Sequence, residues 1–269
     1  MANLEKTESV FKKIIYRFFY PSCVYFALSV LLVTLFARLL LSMESLSLKS
    51  LIFVYAFSLC LAGCNQIFYI NKLPGALKVI LHWLSLIVLF IVMFVVSLNN
   101  VANPIGAVIV LILVSIVYYF FYLIKWLLTL FIPTVVFRRW LYPLTMYFLL
   151  GVTVNEILCY VVQVSDSAPT LKNLGFIGIF AVIMMIAHQI FYSKISIFFK
   201  IAIHFLAYIA GTIACLVILT HNYKDYSDAF IPCIVIAVVY LLVASIVTLI
   251  VSKKRKTDNN NEKYSKQFS

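Results

Sequence analysis

Two short stretches hold most of the side chains that could do chemistry. Asn65-Gln66-Ile-Phe-Tyr69 is followed, after a short basic break, by Lys78-x-x-x-His82. His188-Gln189-Ile-Phe-Tyr192 is followed in the same way by Lys200-x-x-x-His204. An imidazole titrates near neutral pH, so a His a turn or two below a membrane surface can sense or relay protons. Gln, Asn and Tyr supply hydrogen-bond donors and acceptors, and an intramembrane polar group is a functional candidate by default. Two lone charges add to this set. Glu156 beside Asn155 is the one acidic group inside an expected span and a candidate cation or proton site, and Arg38 is its candidate partner.

Other chemistries lack their residues. The sequence has no Ser/His/Asp set, no paired intramembrane carboxylates, no HExxH and no glycine-rich phosphate loop, so catalysis is not expected. No cofactor or metal site is expected either. The six cysteines (23, 60, 64, 159, 215 and 233) form no CxxC pair and read as small buried hydrophobes.

The elements that must position these residues follow from composition. The chain has 269 residues, 65% apolar and only 11% charged. A soluble domain carries about 25% charged residues, so a solvated globule is excluded. Apolar runs of about 20 residues mark membrane helices. The expected fold is an all-α polytopic membrane protein with eight spans, near 18–41, 48–70, 76–98, 104–131, 140–163, 171–193, 197–220 and 229–252. Continuous rather than alternating apolarity favours helices over a barrel. The first span follows Lys12, Lys13 and Arg17. It is too long for a signal-peptide core and is expected to be retained.

Charge gives the expected orientation. Of the 21 Lys and Arg, only Arg38, Lys49, Lys172 and Lys224 fall at odd-to-even connections. The positive-inside rule then places both termini in the cytoplasm. The net charge of +12 belongs mostly to this bias. The basic run Lys253–Lys256 reads as a stop-transfer anchor attracted to anionic lipid, with no direct nucleic-acid binding expected.

The echo extends beyond the two polar stretches. Arg17-x-x-Tyr20-Pro21-x-x-x-Tyr25 returns as Arg139-x-x-Tyr142-Pro143-x-x-x-Tyr147, and Leu48-Lys49-x-Leu51-x-Phe53 as Leu171-Lys172-x-Leu174-x-Phe176. The offset is 122 or 123 throughout. Ordered recurrence at a fixed period marks homologous units. The expected division is a first four-helix repeat over 1–133, a second over 134–252 and a basic cytoplasmic tail over 253–269. Four is even, so the repeats are parallel, and one chain makes a pseudo-dimer about an axis along the membrane normal.

Within each repeat, Gln66 and His82 are expected at similar depth on neighbouring antiparallel helices, and Gln189 and His204 likewise. Lys78 shares a face with His82, and Lys200 with His204. The lysines are expected to snorkel to the headgroups. Interhelical hydrogen bonding that fixes the hairpin and a working site both remain open for these clusters. Pro21 and Pro143 suit a first helical turn, with Arg and Tyr in an interfacial belt.

The residues Leu77-Lys78-Val-Ile-Leu-His82-Trp83 and Phe199-Lys200-Ile-Ala-Ile-His204-Phe205, with the aromatic run Tyr118–Trp126, resemble an uncharacterised family of bacterial four-span membrane proteins. Its members are often encoded beside LytTR-type transcription regulators, and similar small membrane proteins inhibit such regulators. The resemblance implies a tandem duplication of that unit in a bacterial plasma membrane. It also implies a regulatory role in which loops 70–78, 126–139 and 193–200 and the tail hold a cytoplasmic DNA-binding partner. The alternative is a transporter or channel with a pathway along the pseudo-twofold axis. Against it stands the expected lack of paired broken helices.

Overall fold

A computed structural model describes residues 14–41, 48–96, 104–131, 134–161 and 170–218, with 234, 237, 238, 240–242, 244 and 245 from the last segment. The chain is all-α: α1 is Tyr20–Leu41, α2 Leu48–Cys64, α3 Gly75–Phe90 and α4 Pro104–Phe131. They are followed by α5 (Thr134–Val161), α6 (Leu171–His188) and α7 (Ile197–Gly211). In hydrocarbon every backbone N–H and C=O must be satisfied within the segment, and continuous Leu/Ile/Val/Phe runs meet that demand as helices.

Among the described residues, six helical stretches are long and apolar enough to cross a membrane: Arg17–Phe36, Lys49–Tyr69, Gly75–Met93, Leu111–Leu128, Leu171–Tyr192 and Ile197–Cys215. They correspond to six of the eight expected spans. The fifth expected span is helical within α5 but is not among them. The eighth, and the tail, lie largely outside the described residues. Large apolar side chains such as Ile112, Ile116, Phe120 and Leu130 are exposed along α4, as a lipid-facing surface requires.

Packing divides the chain into two compact units, residues 1–153 with 168–175, and residues 154–167 with 176–269. In the first unit Phe26, Val30 and Val54 are fully buried, and Phe57, Leu61 and Leu86 cluster with Tyr25, Val114 and Tyr118. In the second unit Ile177, Phe180 and Met184 are fully buried. One sequence of local structure occurs in both. A helix tightens into a 3-10 turn at Asn65–Tyr69 and at Gln189–Tyr192. After a short connection the next helix widens into π-helical turns at Ile91–Val96 and at Thr212–Ile218. Spans three and seven therefore are not α-helical throughout.

Of the two prolines, Pro21 lies in the first turn of α1 as expected and Pro143 does not. Pro143 lies well inside α5 and not in its first turn. Nearby, Thr145 Oγ1 donates to the carbonyls of Leu141 and Tyr142, at 3.1 and 3.2 Å. Pro21 is the second residue of α1, directly after a π-helical stretch, Ile15–Phe19. A proline brings no N–H to the preceding turn. The Arg17 carbonyl, four residues back from Pro21, accepts instead from Gln66 Nε2 at 3.3 Å. Ser22 Oγ donates to the Phe19 carbonyl at 2.6 Å.

Candidate functional site

In the first unit the α2–α3 connection carries the polar cluster. The 3-10 turn ends with its last carbonyls free of helix partners, a normal cost of a helix terminus. Lys78, in the first turn of α3, folds back and donates its Nζ to the Phe68 carbonyl at 3.2 Å. In the second unit Lys200 donates to the Phe191 carbonyl at 3.0 Å and to the Ser193 carbonyl at 2.6 Å. The lysines therefore cap the connection. A charge-assisted hydrogen bond is worth more than a neutral one. Replacing Lys200 by Met is expected to lower stability by about 1–2 kcal/mol, read as a fall in melting temperature in detergent. An unchanged midpoint would return the lysine to the headgroups.

The histidines lie deeper. His82 is 2% exposed and His204 3%. His82 Nδ1 is 3.0 Å from the Tyr118 hydroxyl, and His204 Nδ1 is 2.5 Å from the Tyr240 hydroxyl. Aromatic rings enclose both imidazoles. Around His82, the ring centroids of Phe68, Tyr118 and Tyr25 lie at 5.0, 5.7 and 6.2 Å. Around His204, those of Phe191, Tyr240 and His188 lie at 5.1, 5.8 and 6.0 Å. Tyr118 and Tyr240 stand 36 residues after their histidines in both units. His82 Nε2 meets no group with full hydrogen-bond geometry, although the Leu61 backbone acts on the ring. That arrangement suits the tautomer with the proton on Nε2, so that Nδ1 accepts from Tyr118.

The other expected members are used elsewhere. Gln66 is exposed and serves the Arg17 carbonyl, so it does not face His82. Gln189 donates to the Met185 carbonyl at 3.3 Å, one turn back on its own helix. Asn65 Oδ1 accepts from the Tyr25 hydroxyl at 2.7 Å, which ties α1 to the end of α2. Tyr69 is exposed with the Arg17 guanidinium 4.1 Å above its ring. Tyr192 is exposed beside His188, ring centroids 6.2 Å apart. Arg38 is exposed, whereas Glu156 is buried with Asn155 Nδ2 3.5 Å from its carboxylate. Arg38 and Glu156 belong to different packing units.

Tyr25, Tyr118 and Tyr240 are the members that sequence reasoning missed. The signal was present, since Tyr118 and Tyr240 differ by the same 122 residues as His82 and His204. Tyr20 and Tyr142, also 122 apart, stack on each other with centroids 4.6 Å apart and planes 2° from parallel. Among the described residues no group of three or more His, Cys, Asp or Glu could hold a metal ion. Comparison with known protein families, with curated proteins and with solved structures finds no match.

Proposed function

We propose that this chain is a regulatory membrane protein whose basic cytoplasmic loops hold a soluble partner such as a transcription regulator. The supporting observation is where the polar side chains are spent. His82, His204, Lys78, Lys200, Asn65 and Gln66 all engage tyrosine hydroxyls or backbone carbonyls of their own unit. What is left for an outside partner is exposed and basic, with Lys72 and Lys194 at the two connections. The resemblance to four-span proteins encoded beside LytTR-type regulators points the same way.

The finer architecture belongs to the same reading. The chain makes eight spans as two parallel four-helix repeats, over 1–133 and 134–252, with both termini and the 253–269 tail cytoplasmic in a bacterial plasma membrane. Stacking of Tyr20 on its repeat equivalent Tyr142 supports it, because residues related by a twofold meet each other only at the axis. The matching turns at 65–69 with 189–192, and at 91–96 with 212–218, support it further.

The test is purification from native membranes in mild detergent, with mass spectrometry of what co-elutes. The expected result is a soluble DNA-binding protein near equal stoichiometry, lost in Lys72→Gln/Lys194→Gln. A preparation without a partner removes the reading. Transport is the second reading, drawn from buried Glu156 and from the paired π-helical turns of spans three and seven. Ion flux in liposomes that disappears in Glu156→Gln would establish it.

A further inference from the structure

The first unit carries a feature outside its polar cluster. The pairs His82–Tyr118 and Trp83–Ser115 run α3 and α4 antiparallel. An open apolar groove of about 660 Å³ lies between them, lined by Trp83, Ile87, Val108, Ile112 and Tyr119 among others. Its Ser115 hydroxyl is already bonded by Trp83 Nε1 at 3.1 Å. From Val108 to Tyr119 the groove runs about 17 Å along α4, close to half of a ~30 Å hydrocarbon core.

Positive charge stands at the cytoplasmic-loop end of this groove. The antiparallel register brings Lys125 level with the start of α3, where its Nζ lies 5.9 Å from the Phe68 ring centre. Arg138 in α5 is near enough for its charge to act on Lys125, and both side chains are exposed. Among the described residues of this unit there is no carboxylate at all. A pair of neighbouring cations at a bilayer surface attracts the anionic headgroups of lipid.

In sequence, the second half keeps the scaffold residues and changes several of those at the groove and its cation. Phe68, Lys78, His82 and Tyr118 recur as Phe191, Lys200, His204 and Tyr240. Trp83, Ser115, Tyr119 and Lys125 give way to Phe205, Ala237, Leu241 and Val247.

We infer that the α3–α4 groove binds one anionic phospholipid, with an acyl chain along Tyr119, Ile112 and Val108 and the phosphate at Lys125 and Arg138. Neither element suffices by itself, since lipid tails alone would not need the cations and a free phosphate would not need the groove. The occupant therefore combines an anionic head with an apolar tail.

The experiment is a thermal-shift titration of the delipidated full chain in detergent. Its probes are phosphatidylglycerol, phosphatidylcholine and soluble glycerol phosphate. The expected result is saturable stabilisation by phosphatidylglycerol only. Lys125→Gln/Arg138→Gln is expected to weaken the apparent affinity roughly 10–30-fold. Ile112→Trp, which fills the groove and leaves the charges, is expected to abolish the effect, whereas Lys49→Gln at the far end of α2 leaves it unchanged. Equal stabilisation by phosphatidylcholine, stabilisation by glycerol phosphate alone, or full affinity in both groove variants overturns the inference. Lipid counts from native mass spectrometry on the same variants give the readout if either variant is too unstable for the melt.

Discussion

Replacing His204 by Ala is expected to destabilise the second unit by about 2–4 kcal/mol. Two losses add. The imidazole is buried among Phe191, His188 and Tyr240, so truncation leaves a cavity of the kind that costs large-to-Ala variants 2–5 kcal/mol. The Tyr240 hydroxyl also loses its partner at 2.5 Å, worth about 0.6–1.7 kcal/mol between membrane helices. His82→Ala is expected to fall in the same range, because Tyr118 and Phe68 stand around it in the same way. Tyr118→Phe keeps the packing and removes only the bond, so its cost should stay near the lower figure. Thermal melts in detergent check all three, and a His204→Ala midpoint equal to wild type would mean that the ring is not packed as described.

Gly211→Leu is the second change with a large expected effect. A Cβ at Gly211 would lie 3.1 Å from Phe180 Cδ2, 3.5 Å from Phe180 Cε2 and 3.8 Å from Ile183 Cγ2. Phe180 is fully buried and has nowhere to move. Small residues at such crossings let membrane helices approach closely. Forcing a Leu into this contact is expected to cost about 2–3 kcal/mol through overpacking. Gly211→Ala sets the scale, since part of its clash is offset by about 1 kcal/mol of helix propensity. The expected order of melting temperatures is wild type at or near Ala, with Leu well below. A Leu variant as stable as wild type would contradict the close α6–α7 approach.

The helices were legible because lipid leaves so few alternatives. Continuous apolar runs predicted the six crossing helices, and Pro104 at the head of α4 marked a helix start. The polar clusters were legible as residues but not as partnerships. Spacing of four places Lys78 on the face of His82, yet it says nothing of which neighbouring helix that face meets. The meeting with Tyr118 depends on how α3 packs against α4. Gln66 shows the limit most clearly. Its partner is the Arg17 carbonyl, 49 residues away and four residues before Pro21, which brings no N–H to it. Pro143 inside α5 and the π-helical turns were missed for the same reason. A helix in lipid can lose a backbone hydrogen bond wherever a side chain from elsewhere replaces it.

In the function proposed above, the paired His clusters hold the helices together while the basic loops bind the partner. The most direct measurement follows melting temperature and partner retention on the same preparations of wild type, His82→Ala and His204→Ala. The account predicts lower melting temperatures with unchanged partner bound per folded molecule. Loss of the partner at an unchanged melting temperature would contradict it and make the clusters the working site.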